Sequence, residues 1–184
     1  NSNIFYALEL TVFLFAWLVL LGAGYAAKKT LHLGVDAIFK LAQPSVKRML
    51  GLFVVAICIA YSLLLLKGSW DYWAPFANLP PTEGRWFPLG FVEKFRGQGW
   101  YETQDLPVPF FLTWLADVFN DGEAYEKLPK VVPYIVLPIS MALLTYRFAQ
   151  AAVRIWRGEQ ESLIVSHEAE DEVAEAAARL KEQN

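Results

Sequence analysis

The chain has 184 residues, 55% of them hydrophobic, and a formal net charge of −3 at pH 7. Its mean hydropathy of +0.30 is high for a water-soluble domain of this length, so most classes of soluble enzyme are excluded. The small negative charge gives no reason to expect a nucleic-acid partner.

The first apolar run extends from Ile4 to Ala27 and predicts a helix that crosses a membrane, since about 20 apolar residues are needed. Trp17 lies near its centre. Gly22, near its end, would allow another helix to approach closely. For Glu9, near its start, two interpretations stay open: a contact with a partner or an ion path, or a carboxylate that reaches the lipid headgroups.

The interval that follows, residues 28–48, is basic and amphipathic. Apolar side chains recur at spacings of three and four among the cations, which predicts a short helix lying in the membrane surface. Pro44 is expected to end or bend this helix. Candidates here for contacts with lipid or a partner are Lys28, Lys29, Phe39 and Lys40.

The second apolar run, Met49–Leu66, contains no charged residue and predicts a second span. Lys67 and Gly68 mark its exit from the membrane. Trp70 and Trp73 follow at once, as expected of an aromatic belt at a membrane–water boundary.

Residues 67–130 form a long segment rich in proline and aromatic residues. Because tryptophan and tyrosine suit an interface that is apolar at one end and wet at the other, we expect short helices on the outer membrane surface. The helical spacing of Phe110, Phe111 and Trp114 predicts an interfacial helix over Pro109–Asn120, ended by a turn.

The third span is predicted over Val131–Val153, in a segment that ends at residue 156. Pro133 falls in its first turn, where proline is tolerated, and Pro138 should kink it. Residues 157–184 are predicted to be a soluble tail that contains a helix. The sequence thus predicts an all-α membrane protein with three spans.

The distribution of lysine and arginine predicts the orientation. Five cations lie in the short interval 28–48, which the positive-inside rule places on the cytoplasmic side together with the C-terminal tail. Residues 67–130 would then lie on the outer side of the membrane. The cations that count against this orientation are Lys67, Lys127 and Lys130.

No catalytic or cofactor-binding pattern is found in the sequence. The two histidines, His32 and His167, have no companion ligands at the spacing that a haem or metal site needs, and Cys58 is alone. There is no glycine-rich phosphate loop. We therefore predict a protein that is not an enzyme and has no cofactor, acting as a membrane scaffold in a transporter or an electron-transfer assembly.

Three stretches resemble one known family. Glu9–Ala23 followed by Lys28–Asp36, and Val132–Ser140 in the third span, are similar to the small membrane subunit (Q-type, DctQ-like) of tripartite ATP-independent periplasmic (TRAP) transporters. The long segment 67–130 resembles the C4-dicarboxylate branch. Because the family has four spans, the resemblance implies that a first span is missing from this chain.

The resemblance also implies a division of labour. A large M-type membrane subunit would move an organic acid by a sodium-driven elevator motion, and a periplasmic substrate-binding protein would deliver it. The small subunit would anchor the static scaffold among the phospholipids of the bacterial inner membrane. Glu9, Trp17 and Gly22 would then be structural, partner or lipid contacts rather than substrate ligands.

Two alternatives remain open at this level. A membrane-anchor subunit of a respiratory enzyme would require histidines within the spans to hold haem. An independent channel for small solutes would require more polar groups in the spans than the sequence supplies.

Overall fold

A computed structural model describes residues 5–28, 44–87 and 96–158. Most of the predicted surface helix at 28–48 and of the soluble tail lies outside the described residues. Of the candidate contact residues in that region, Lys29, Phe39 and Lys40 are outside them as well.

Three helical stretches among the described residues are long and apolar enough to cross a membrane: Tyr6–Ala27, Val46–Ala77 and Val131–Arg157. They confirm the predicted all-α membrane fold. The first belongs to helix α1, Phe5–Lys28, and the second to helix α2, Pro44–Trp73. Pro44 is the first residue of α2, a position where proline is tolerated because no backbone N–H is needed there. The surface helix predicted before Pro44 lies outside the described residues, so the effect of Pro44 on it stays a prediction.

Helix α2 continues past the predicted exit at Lys67 and Gly68. The Lys67 ammonium lies 2.8 Å from a carboxylate oxygen of Asp71 and 2.6 Å from the hydroxyl of Thr82, so its charge is paired within the protein. A 3₁₀ helix, Ala74–Ala77, follows α2 and ends at Asn78, which has a φ of 53°. Asparagine tolerates this left-handed conformation, which closes the helix.

The segment between the second and third spans, residues 78–130, contains a small sheet that the sequence did not predict. Strand β1, Glu102–Pro107, pairs antiparallel with strand β2, Lys127–Pro129. Glu102 lies opposite Pro129 and Pro107 opposite Lys127, with a register irregularity between these pairs. We call residues 78–130 the connecting segment.

The helix predicted over Pro109–Asn120 is divided. A 3₁₀ helix covers Phe110–Leu112, and helix α3 covers Leu115–Phe119. The expected turn follows at Asp121 and Gly122, both with positive φ.

The third span is interrupted near its start. Helix α4, Val131–Tyr134, is followed by Ile135 and then by helix α5, Val136–Arg157. Pro138 has no N–H to donate to the carbonyl of Tyr134, four residues earlier, so the helical hydrogen-bond ladder cannot be continuous there. The break thus lies one turn before the proline that was expected to cause it.

The contacts divide the chain into two units, Asn1–Gly24 with Ala60–Thr145, and Tyr25–Ile59 with Tyr146–Asn184. In the first, Phe76, Ala77 and Val131 form a buried cluster. In the second, Phe148, Ala151 and Ile155 are buried on one face of α5. There, the Arg48 guanidinium of α2 donates a hydrogen bond to the carbonyl of Trp156.

Asn78 joins distant parts of the connecting segment. Its side-chain amide donates to the carbonyl of Phe119 at 2.9 Å, and its amide oxygen accepts from the N–H of Gly99 at 3.0 Å. The Tyr125 hydroxyl donates to the carbonyl of Gly99 at 2.7 Å. Burial, together with the nearby Glu102 carboxylate, raises the pKa of Tyr125 to about 12, so this hydroxyl remains a neutral donor at physiological pH.

Replacing Gly99 with alanine should destabilise the connecting segment. An added Cβ would meet the carbonyl oxygen of Phe119 and lie 2.6 Å from the Asn78 amide nitrogen, so backbone would have to move. We expect a loss of about 1–3 kcal/mol, as for other overpacking substitutions. The measurement is thermal unfolding of the purified protein in detergent.

Gly22→Ala is the matched control, because a Cβ there would have no described heavy atom within 4 Å. A Gly99→Ala variant that unfolds at the same temperature as Gly22→Ala would contradict the packing argument.

Candidate functional site

The Glu9 carboxylate binds the backbone of strand β1. Its two oxygens accept hydrogen bonds from the N–H groups of Gln104 at 3.0 Å, Asp105 at 2.8 Å and Leu106 at 3.2 Å. A single side chain of the first span therefore satisfies three consecutive donors in the connecting segment. The sequence showed an isolated carboxylate but not this intramolecular contact, and a further contact with a partner stays a prediction.

Two indole groups hold the interrupted start of the third span. Trp17 of α1 donates from Nε1 to the carbonyl of Pro133 at 2.8 Å, and Trp73 of α2 donates to the carbonyl of Val131 at 2.9 Å. An indole N–H usually finds an acceptor when it is buried, and backbone carbonyls in lipid need donors from the protein. Trp17 is therefore an internal contact between spans. The sequence identified Trp17 as a candidate but could not identify its acceptor.

The Tyr134 ring lies at the centre of an aromatic cluster beside these hydrogen bonds. Ring centroids lie 5.2 Å away for Phe76, 5.5 Å for Tyr72 and 6.0 Å for Phe13. Such edge and tilted arrangements are the favourable geometries for aromatic pairs. All three spans thus contribute a ring to one cluster.

An apolar groove of about 750 Å³ lies among the three spans in the first unit. Its walls include Phe13, Leu20, Leu65, Tyr134 and Met141. A surface of this kind can accommodate hydrocarbon, but it offers almost no donor or cation for a carboxylate. It is therefore unsuited to hold a polar organic acid.

The two glycines at the end of α1 differ in their surroundings. Gly24 is buried, and a Cβ on it would lie 3.1 Å from Cδ2 of Leu143 on α5, whereas Gly22 is exposed with nothing described within 4 Å. The close helix approach expected of this stretch is therefore made by Gly24. Gly22 remains accessible for the partner or lipid contact predicted from the sequence.

An exposed aromatic surface lies on the two short helices of the connecting segment. Phe110 is 87% exposed, Phe111 61% and Trp114 53%, and Val118 extends the surface. Leu115 and Ala116, between them, are buried and attach the helix to the rest of the protein. We call Phe110, Phe111, Trp114 and Val118 the aromatic surface. Phe110, Phe111 and Trp114 were candidates from the sequence, and the structure leaves the side chains of all four residues exposed.

Other candidates lie at the edge of the described residues. Lys28 is the last residue of α1, and its side chain is not described.

Within 5–28, 44–87 and 96–158, no group of three or more His, Cys, Asp or Glu side chains comes together in a way that could hold a metal ion.

Comparisons with known proteins agree on one family. The model of the DctQ component of tripartite ATP-independent periplasmic transporters matches residues 1–91. The C4-dicarboxylate TRAP transporter small permease protein DctQ of Vibrio cholerae is 46% identical over 182 residues, 99% of this chain and 71% of that protein. The protein of the same description from Pseudomonas aeruginosa is 32% identical over 162 residues, 88% of this chain and 60% of that protein. No solved structure matches the chain.

Replacing Glu9 with alanine should release strand β1. Three backbone N–H groups would lose their acceptor, and an amide that is no longer hydrogen-bonded within the protein exchanges more readily with solvent. We expect the amides of Gln104, Asp105 and Leu106 to exchange faster with deuterated solvent. Hydrogen–deuterium exchange measured by mass spectrometry reports on these amides directly.

The control is Glu126→Ala, which removes an exposed carboxylate from the same segment. Unchanged exchange at residues 104–106 in Glu9→Ala would show that the carboxylate does not hold this strand.

Proposed function

This chain belongs to the DctQ family of small permease subunits of TRAP transporters, and we propose that it is the scaffold subunit for sodium-driven uptake of C4-dicarboxylates. The chain covers 71% of one relative and 60% of the other. The activity that we propose is that of the whole transporter, of which this chain is one subunit. In this proposal a large M-type permease subunit moves the substrate, and a periplasmic binding protein delivers it.

The observation that carries the scaffold role is the use of the polar groups in the spans. Glu9, Trp17 and Trp73 each satisfy backbone groups of the same chain. A dicarboxylate needs donors or cations at both ends, and the groove among the spans offers an apolar wall instead. The substrate path is therefore assigned to the large subunit.

The outward faces of the spans support a role as a partner for other membrane components. Of the most apolar windows of the first and second spans, only 11% and 17% of residues are buried inside the chain. Such faces suit phospholipid and the spans of a large subunit equally well. Gly22, exposed on the first span, is our candidate for the closest approach by a partner helix.

We place the protein in the bacterial inner membrane with residues 67–130 in the periplasm and the C-terminus in the cytoplasm. The support is the density of cations in the short interval 28–48. In this orientation the aromatic surface faces the compartment of the binding protein. We infer that it docks the binding protein or braces the large subunit there.

The scaffold proposal predicts a stable complex. When the tagged chain is expressed together with the large permease subunit and purified in mild detergent, the two should elute together in gel filtration. An unrelated tagged membrane protein of three spans, expressed in the same way, controls for nonspecific association. Recovery of the tagged chain alone would contradict the proposal.

The triple replacement of Phe110, Phe111 and Trp114 with serine should lower uptake of labelled succinate while leaving the complex assembled. These exposed rings contribute to docking in our proposal, and truncating a hot-spot residue at an interface costs about 2 kcal/mol or more, about 30-fold in affinity.

The matched control keeps the surface apolar, with Phe110→Leu, Phe111→Leu and Trp114→Phe, and should retain most of the uptake. Normal uptake by the serine variant would remove the aromatic surface from the proposal without affecting the scaffold role.

A further inference from the structure

Residues 97–126, which carry the aromatic surface, are strongly acidic. This stretch has no lysine, arginine or histidine and contains six carboxylates: Glu102, Asp105, Asp117, Asp121, Glu123 and Glu126. Across the whole connecting segment, residues 78–130, carboxylates outnumber cations by eight to five. The excess of negative charge therefore falls on the part of the segment that contains the exposed rings.

One of these carboxylates lies on the aromatic surface itself. Asp117 follows Trp114 by three positions and directly precedes Val118, and side chains three positions apart share a face of a helix. The Asp117 side chain is exposed, and no ion pair joins it to another of the described residues. Leu115 and Ala116 are buried and fix the helix. The aromatic surface therefore carries a negative charge that faces water.

A pocket of about 350 Å³ opens at the end of α3, the helix that also carries part of the aromatic surface. Phe119, Asp121 and Glu123 contribute to its lining, together with Trp100. The Trp100 ring is exposed but stacks on Tyr101 with ring centroids 4.1 Å apart, so the protein holds the indole in place. An indole beside carboxylates is a favourable environment for the side chain of a lysine or an arginine.

Arg96 also lines this pocket but neutralises only one of its carboxylates. Its guanidinium lies 3.3 Å from a carboxylate oxygen of Asp121, and both side chains are almost fully exposed. Glu123 has no such cation among the described residues, so Glu123 and Asp117 retain the negative charge of this region. The charge is complementary to a partner that carries basic groups.

This charge distinguishes among the surfaces that can cover the exposed rings. Helices that lie in lipid headgroups carry lysine and arginine on their polar face, because a membrane containing anionic lipid has a negative surface. Permanent subunit interfaces are larger and more apolar, with few charges at their centre. Exposed rings beside carboxylates instead match an interface with a water-soluble protein, in which polar groups surround an aromatic centre.

We propose that the aromatic surface, together with Asp117 and Glu123, binds a basic patch on the periplasmic substrate-binding protein. A lysine or arginine of that patch would enter the pocket beside Trp100. The carboxylates would accelerate association by attracting the patch from a distance. This inference rests on the proposed function, and it names the soluble protein instead of the large subunit as the partner of this surface.

The test is association of the purified binding protein with the chain and its large subunit in phosphatidylcholine nanodiscs, followed by biolayer interferometry. The Debye length falls from about 30 Å at about 0.01 M salt to about 3 Å at about 1 M. Because electrostatic steering raises association rates about tenfold or more, the wild-type association rate constant should fall about tenfold over this range. Asp117→Asn with Glu123→Gln should associate several-fold more slowly at low salt, with a nearly unchanged dissociation rate.

Two further double variants separate this surface from the general charge of the segment. Asp117→Lys with Glu123→Lys reverses the charge, so association should become faster as salt is added. Glu83→Gln with Asp105→Asn removes two other exposed carboxylates of the connecting segment and should keep the wild-type rate. Because all four side chains are exposed, each variant should still elute with the large subunit in gel filtration.

Three results would overturn this inference. Association that is independent of salt, or equal in the wild type and the charge-reversed variant, would reject the surface and leave the proposed function intact. Loss of the large subunit from Asp117→Asn with Glu123→Gln would assign the surface to that subunit instead. A wild-type complex that does not bind the binding protein at all would contradict both the inference and the delivery step of the proposed function.

Discussion

Backbone groups that leave regular structure in or beside a membrane must find hydrogen-bond partners in the protein, and this requirement organises the first unit. The third span begins with a broken helix because prolines interrupt its ladder. Its carbonyls at Val131 and Pro133 accept indole N–H groups from the two other spans. At strand β1 the donors are satisfied by the carboxylate of Glu9. The three spans are therefore joined in the first unit by side-chain hydrogen bonds to backbone groups of irregular segments.

This arrangement has a consequence for the division of work in a transporter. A substrate path needs polar groups that can exchange partners as the solute passes. The polar side chains that join the spans here are instead engaged with backbone of the same chain, and the groove between the spans is apolar. Such an interior is suited to anchoring a rigid subunit, which supports the scaffold role that we propose.

The spans were predictable from the sequence because a run of about 20 apolar residues is a strong local signal. The end of α2 was harder to predict. A lysine after an apolar run usually marks the point where a helix leaves the membrane. Here the Lys67 ammonium is instead paired with Asp71, one turn later, and with Thr82, and the helix continues. Strand β1 gave no signal, since its sequence lacks hydrophobic alternation and the acceptor for its N–H groups is 95 residues or more away.

The candidate site shows the same limit. Composition and spacing identified Glu9 and the rings of the aromatic surface. A carboxylate in an apolar run and aromatic residues at helical spacing can be recognised without knowing what they contact. The acceptor of Trp17 lies 116 positions away, in the short helix α4 that precedes the interruption of the third span. Similarly, only the packing of Leu143 distinguishes Gly24 from Gly22.

The continuation of α2 beyond Leu66 bears on how the protein meets bilayers of different thickness. The added residues to Trp73 give about 10 Å of rise, and the helix then ends where Asn78 closes the 3₁₀ turn. That end is set by the chain rather than by the lipid boundary. Hydrophobic mismatch would move the boundary along a helix that already exists, leaving the geometry of the connecting segment unaltered.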